Sequence, residues 1–111
     1  MIEEVLNNFN NVKIDNNPFS HKVINNIFPQ NFYKDLIKNL PNKNQYTPIN
    51  KTGRVSSNYP AERFIFGISK KSVKELNTNQ QDVFNKIILL FTNPKFFNVI
   101  STAFKDTINN R

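Results

Sequence analysis

The side chains that most often perform chemistry in proteins are scarce in this chain of 111 residues. It has one histidine, His21, and no cysteine. A zinc site needs three or four ligands from His, Cys and acidic residues, and mononuclear non-haem iron needs two His and a carboxylate. Because one histidine cannot complete either set, the sequence predicts no catalytic and no metal-binding residue, and a lone His is more often structural.

Motifs for nucleophiles and phosphate groups are also missing. The two glycines, Gly53 and Gly67, belong to no G-x-S-x-G elbow and to no phosphate-binding G-x-G-x-x-G or G-x-x-x-x-G-K motif. The adjacent acids Glu3 and Glu4 are assigned to a helix N-terminus, where negative charge is favourable. We therefore predict no cofactor-binding residue in this chain.

Three residues remain as candidates for contact with a substrate or a phosphate group: Arg54, Tyr59 and Arg63. They lie in or beside a polar stretch at 42–62, and a ring beside a cation can stack on a base. The net charge of +7 and the pI of 9.8 fit a nucleic-acid partner. The basic residues are scattered, however, so a solvated basic surface explains the same pattern. The competing interpretation, that the tyrosine only anchors this loop, stays open.

The hydrophobic pattern predicts an α+β fold, with helices packed on a small antiparallel or incomplete sheet. We divide the chain into an N-terminal helix and turn segment, 1–17, and a single α+β domain or partial domain, 18–111. The expected elements are a short helix at 2–9, strands at 19–25 and 63–69, and helices at 30–40, 79–92 and 94–108. Asn77 or Thr78, with Gln80 or Gln81 three residues later, and Asn93 with Pro94 are typical helix starts.

Side-chain periodicity also predicts which residues are buried. In helix 30–40 the apolar stripe consists of Phe32, Tyr33, Leu36, Ile37 and Leu40. In helix 79–92 it consists of Val83, Phe84, Ile87, Ile88 and Phe91. In strand 63–69 the side chains of Phe64, Phe66 and Ile68 should share one face.

The order of motifs in residues 18–41 resembles a known family. Pro18-Phe19-Ser20-His21, then Val23-Ile24, Phe28-Pro29 and a helix closed by Leu40-Pro41, is similar to the opening of many iron(II)/2-oxoglutarate-dependent oxygenases of the prolyl-hydroxylase-like superfamily. Tyr59 and Arg63 before a Phe-Ile-Phe strand, and Asn93-Pro94-Lys95-Phe96 opening a helix, extend the similarity. In that family these parts are leading strands and supporting helices of a double-stranded β-helix enzyme.

The resemblance implies a non-catalytic, N-terminal portion of a dioxygenase-like protein that is inactive alone. The H-x-D motif, the distal His and the oxoglutarate-binding Arg of that family are not in this sequence, so Fe(II) and 2-oxoglutarate would bind only if a downstream catalytic core exists. The expected partner is that core or a second copy of the chain, with nucleic acid less favoured. The alternative is a small basic nucleic-acid-binding or protein-interaction module.

Location is predicted from what the sequence lacks. No run approaches the roughly 20 apolar residues that span a bilayer, so we expect no membrane partner. The acidic start does not resemble a signal peptide, and the lack of cysteine suits a reducing compartment. We expect a cytoplasmic protein.

The ligand count generates a first prediction. The isolated chain should neither bind Fe(II) or Mn(II) tightly nor convert 2-oxoglutarate to succinate, because one histidine cannot provide two imidazole ligands. Calorimetric metal titration and a succinate assay against boiled protein measure this. Micromolar metal binding, or turnover above the boiled control, would contradict the prediction.

Overall fold

The computed structural model describes residues 1–56, 58, 60 and 62–109. Its helices are α1 (Ile2–Asn10), α2 (Gln30–Lys38), α3 (Lys70–Val73), α4 (Thr78–Phe91), α5 (Pro94–Ala103) and α6 (Lys105–Asn109). Two short strands, β1 (Thr47–Pro48) and β2 (Phe64–Ile65), and two 3-10 helices, Lys43–Gln45 and Ile49–Lys51, complete the secondary structure of this part of the chain.

The longest helix, α4, starts where its capping residues predict. The side chain of Asn77 accepts a hydrogen bond from the backbone N–H of Gln80 at 2.8 Å, and Gln80 Oε1 accepts from the backbone N–H of Asn77 at 3.1 Å. This reciprocal pair satisfies two N–H groups that a helix start leaves without partners. In α5 the Asn93 side chain accepts from the Lys95 N–H at 2.9 Å, and Pro94 occupies the first turn. Both predicted helix starts are confirmed.

The main core forms where α2, α3 and the N-terminal part of α4 meet. Its buried members are Phe32, Val73, Leu76, Val83, Phe84 and Ile87. The sheet joins this core through the half-buried ring of Phe66, whose centroid lies 5.8 Å from that of Phe84 and 6.3 Å from that of Tyr46. Aromatic pairs at these distances add to the stabilisation from burial.

Helix α1 packs on α5 and forms a second apolar contact with its buried residues Val5, Leu6 and Phe9. The ammonium group of Lys22 lies 4.1 Å from the centroid of the Phe9 ring and donates a 2.9 Å hydrogen bond to the Phe9 carbonyl. This contact ties the segment after α1 back to the end of the helix.

The prediction of an α+β fold with a small antiparallel sheet is confirmed, although the sheet is smaller than expected. Strand β2 covers two residues of the predicted 63–69 and pairs antiparallel with β1, with Thr47 opposite Ile65 and Pro48 opposite Phe64. The partner strand lies inside 42–62, which the sequence pattern treated as loop. Proline 48 cannot donate to a ladder, so the pairing ends quickly.

The predicted strand at 19–25 is wrong. This segment contributes one isolated bridge, in which Asp15 and His21 exchange two backbone hydrogen bonds of 2.8 Å. Phe19 and Val23, expected to share a strand face, are both exposed. An alternating pattern cannot make a strand unless another strand is available to pair with it, and here the neighbouring segment offers one residue.

Two helix predictions also need correction. The expected helix at 94–108 is interrupted at Phe104, whose φ of −108° and ψ of 23° leave the helical region, so α5 and α6 are separate. Helix α3 was not expected, yet Ser69 caps it by accepting from the Ser72 N–H at 3.1 Å. The predicted helices at 30–40 and 79–92 are confirmed with shifts of one or two residues at their ends.

One buried amide connects the parts that surround the core. Gln80, only 3% exposed, donates from Nε2 to the Leu40 carbonyl at 3.2 Å and to Gln45 Oε1 at 3.1 Å. Gln45 donates back to Gln80 Oε1 at 3.3 Å and accepts from the Asn42 N–H at 2.6 Å. The end of α2, the first 3-10 helix and the start of α4 are thus held together by one pair of side-chain amides.

This amide pair generates a stability prediction. Gln80→Leu keeps the volume but leaves the Leu40 carbonyl, the Asn77 N–H and the Gln45 amide with unmade hydrogen bonds, so the free energy of unfolding should fall by about 2–4 kcal/mol. Urea unfolding measures it. Asn79→Ala, an exposed position in the same turn, should change it by less than about 0.5 kcal/mol.

The pairwise term can be isolated in a double-mutant cycle with Gln45→Leu. The two single effects should sum to more than the effect of the double variant, because each single change leaves the other amide unpaired. A Gln80→Leu protein as stable as the original chain would show that the amide pair is not a structural constraint.

Candidate functional site

The structure describes two of the three predicted contact residues, and both lie beside β2. Arg63 precedes β2 and is exposed, and its carbonyl accepts from the Ile49 N–H at 2.8 Å. Arg54 is exposed beside the segment that follows β2, with its guanidinium 3.7 Å from the point that a Cβ on Gly67 would occupy. The two arginines therefore lie toward opposite ends of β2. Tyr59, the third candidate, lies outside the described residues.

His21 is used inside its own loop. Its Nδ1 lies 2.7 Å from the Phe19 carbonyl oxygen, which can only accept a hydrogen bond, so Nδ1 is the donor. Its Nε2 lies 3.7 Å from a carboxylate oxygen of Asp15. These contacts hold together the turn that the Asp15–His21 bridge closes. These contacts give His21 a structural role within the loop, the role that we expected for a lone histidine.

The residues present do not fit an iron site of the resembling family. Within the described ranges, no three side chains of His, Cys, Asp or Glu come together as metal ligands. His21 has only Asp15 as an acidic neighbour at short distance. No reaction step through Fe(II) or 2-oxoglutarate is therefore assigned to this chain.

The outer side of α2 carries exposed apolar residues that were predicted to be buried. Tyr33, Ile37 and Leu40 are 49%, 51% and 45% exposed, whereas Phe32 is buried and Leu36 half-buried. Tyr33 and Ile37 are four residues apart on α2, and Leu40 follows shortly after the helix ends at Lys38; we call these three residues the α2 face. The prediction of five buried residues is thus wrong for three of them, because α4 covers only one side of a helix two and a half turns long.

The strand face is similarly uncovered. Phe64 is 48% exposed and Ile68 is exposed to a similar degree, so only Phe66 of this predicted set packs against the core. Phe91, expected on the buried side of α4, is also half-exposed and packs edge-on against Phe96, with ring centroids 5.0 Å apart. These side chains lack neighbours that the sequence pattern assumed.

A groove runs between α3 and α4. One part, about 430 Å³ in volume, is lined mainly by Ile68, Lys70, Ile87, Ile88 and Phe91. An adjoining hollow of about 370 Å³ shares Lys70 and Ile88 and continues past other residues of both helices, among them Lys74, Asn85 and Leu89. We call the two together the α3–α4 groove. It was missed because α3 was not predicted; the signal available was Ser69 as a helix cap.

The surface of the chain is large for its mass. The accessible area is 8482 Å². A monomeric protein of 13.0 kDa is expected to expose about 6,300 Å², roughly 2,100 Å² less. The radius of gyration is 16.9 Å, against about 13 Å for a compact domain of this length. The chain measures 41 × 36 × 22 Å along its principal axes, and large apolar side chains such as Phe97, Leu89 and Phe19 are 67–70% exposed.

Comparisons with known proteins leave the function open: no family model, no curated protein and no solved structure gives a significant match to this chain. Within the described part of the chain, every helix falls short of the length and apolarity that a bilayer crossing requires.

The exposed apolar area generates a prediction for the folded protein. We expect the chain to bind the dye ANS before it unfolds and to show marginal stability or aggregation, because half-exposed aliphatic and aromatic side chains offer the dye an apolar surface. Ile37→Ser with Leu40→Ser should lower dye fluorescence with little change in melting temperature, since these side chains are already half in water.

The matched comparison is Phe84→Ser, which removes a buried ring and should raise dye fluorescence and lower the melting temperature. A sharp cooperative transition above about 55 °C without prior dye binding, as in ordinary mesophilic domains, would mean that the chain is self-sufficient.

Proposed function

We propose that this chain is a non-catalytic docking module, inactive alone, that packs against the catalytic core of an Fe(II)/2-oxoglutarate-dioxygenase-like protein in the cytoplasm. The observation that carries the proposal is the excess of about 2,100 Å² of accessible surface, which includes the half-exposed α2 face.

The size of this excess supports a protein partner. A standard protein–protein interface buries about 800 Å² on each partner, and obligate interfaces bury more. The excess exceeds that area, and a partner the size of a folded domain is large enough to cover it. A small ligand would leave most of it exposed.

The position of the apolar stripe supports the class of partner. Tyr33, Ile37 and Leu40 lie inside residues 18–41, the segment whose motif order resembles the oxygenases. In that family the helix at this point supports the β-helix core, which would cover the α2 face. The sheet supports the same partner type, because in a two-stranded sheet both strands are edges that further strands can extend.

In such an assembly this chain would have a structural role and not a catalytic one. Apolar side chains of the α2 face would exclude water from the junction, and the partner core would hold the metal and 2-oxoglutarate and supply the oxidising chemistry. Arg54 and Arg63 are exposed and remain candidates for contact with an anionic group of a substrate. The basic residues are scattered along the sequence rather than clustered in a run, so a nucleic-acid module is the weaker alternative.

The test begins with the reading frames that flank the coding sequence, in which an encoded H-x-D motif followed by a distal His and Arg would identify the core. Co-expression of that core with this chain should give a stable complex that forms succinate from 2-oxoglutarate in an Fe(II)-dependent reaction. Ile37→Glu should weaken the complex at least about tenfold, because it places a charge in an apolar junction.

Asn31→Glu is the matched control, since it adds the same charge to an exposed position on the other side of α2 and should leave the complex unchanged. The absence of any such core, or a core that is equally stable and active without this chain, would overturn the proposal. Submicromolar binding of generic RNA or DNA near physiological salt would favour the nucleic-acid alternative instead.

A further inference from the structure

The α3–α4 groove is a second surface, separate from the α2 face, and its floor is apolar. Ile87 is buried at its base and Ile88 is half-buried, while Ile68 and Phe91 stand half-exposed at its margin. Three isoleucines and one phenylalanine form this surface, and Phe91 packs against Phe96 with its ring at 88° to that of Phe96. The groove is suited to aliphatic side chains of a partner.

The rim of the groove on the α3 side is positively charged. Lys70 and Lys74 line it, Lys71 lies between them in sequence, and all three are exposed. None of them forms an ion pair with another described residue, whereas Lys86 pairs with Asp82 at 3.3 Å and Lys95 with Glu3 at 3.2 Å. Glu75 follows Lys74 directly in the chain, so residues 70–75 carry three positive charges and one negative charge.

The length of the groove matches a short helix. Its lining residues on α4 extend from Gln81 to Thr92, a span of about 16 Å at 1.5 Å per residue. A helix of about three turns covers that distance and presents apolar side chains at i, i+3, i+4 and i+7, the spacing with which helices bind grooves.

We propose that the α3–α4 groove binds an acidic amphipathic helix of a partner protein, with aliphatic side chains on the Ile68–Ile88–Phe91 surface and carboxylates against Lys70 and Lys74. A second copy of this chain is a poorer occupant, because it carries the same net charge of +7. The inference does not depend on the proposed oxygenase-like function, which involves α2.

The probe is a fluorescein-labelled peptide of about 14 residues, or about four helical turns, with leucines at helical spacing and glutamates elsewhere. A matched peptide keeps the leucines and replaces each glutamate by lysine. In fluorescence anisotropy titrations the acidic peptide should bind at least about tenfold more tightly, with a preference that decreases as salt rises.

General attraction to a basic protein must be separated from binding in the groove. Lys70→Glu with Lys74→Glu should abolish the preference for the acidic peptide. Lys13→Glu with Lys105→Glu makes the same change in net charge at exposed lysines of other elements and should preserve it. Equal losses in both double variants would overturn the proposal.

The apolar contact is tested separately. Phe91→Ser and Ile68→Ser should each weaken binding of the acidic peptide by about tenfold or more, because each removes a large apolar side chain from the contact. Phe97→Ser, which alters an exposed ring of α5, should not. If generic RNA binds instead, and only the lysine variants weaken it, the surface is a nucleic-acid site and the proposal fails.

Ile37→Glu serves as the control for independence and should leave peptide binding unchanged. A protein that binds the peptide but does not assemble with an oxygenase core would retain this inference and lose the proposed function. A protein that assembles with an oxygenase core but binds the acidic and basic peptides equally would retain the proposed function and lose this inference.

Discussion

The buried amide of Gln80 is the point at which three separately formed parts of the chain meet. Its oxygen closes the capping box of α4 through the Asn77 N–H, and its nitrogen donates to the Leu40 carbonyl beyond α2 and to Gln45. An unsatisfied amide in such a position costs about 1–3 kcal/mol, so all of these partners must be in place together. The amide thereby fixes α2 and the first 3-10 helix relative to α4, and the apolar core fills the space that results.

That arrangement makes α4 the platform of the structure. Its buried residues Val83, Phe84 and Ile87 contact α2, α3 and the sheet, while the buried Leu90 belongs to the C-terminal end, where α5 follows. A helix can be covered by neighbours on only part of its circumference. Because α3 has four residues and the sheet two short strands, the later turns of α4 remain uncovered around Phe91 and Leu89.

Features that depend on residues close together in the chain are predicted correctly from the sequence, whereas features that depend on distant segments are not. Asn77 with Gln80, and Asn93 with Pro94, predict helix starts correctly because a cap involves residues two or three apart. The α+β class follows from the same local patterns. The exposure of Ile37 and Phe64 could not be predicted residue by residue, since burial depends on which distant segments cover a face. Strand 19–25 fails for the same reason, as Asp15 supplies only a single bridge to it.

The candidate docking surfaces are still harder to predict from the sequence, because such a surface consists of the residues that the fold leaves uncovered. The sequence named Arg54 and Arg63 for their chemical type, but the fold places them toward opposite ends of β2. It brings Lys70 and Lys74 instead to the margin of an apolar groove, through a helix of four residues. The α2 face belongs to the segment that Gln80 holds through the Leu40 carbonyl, and the groove runs along α4, the helix that contains Gln80. The proposed contact through the α2 face and the proposed contact in the groove share no residue, so each can be altered and tested without changing the other.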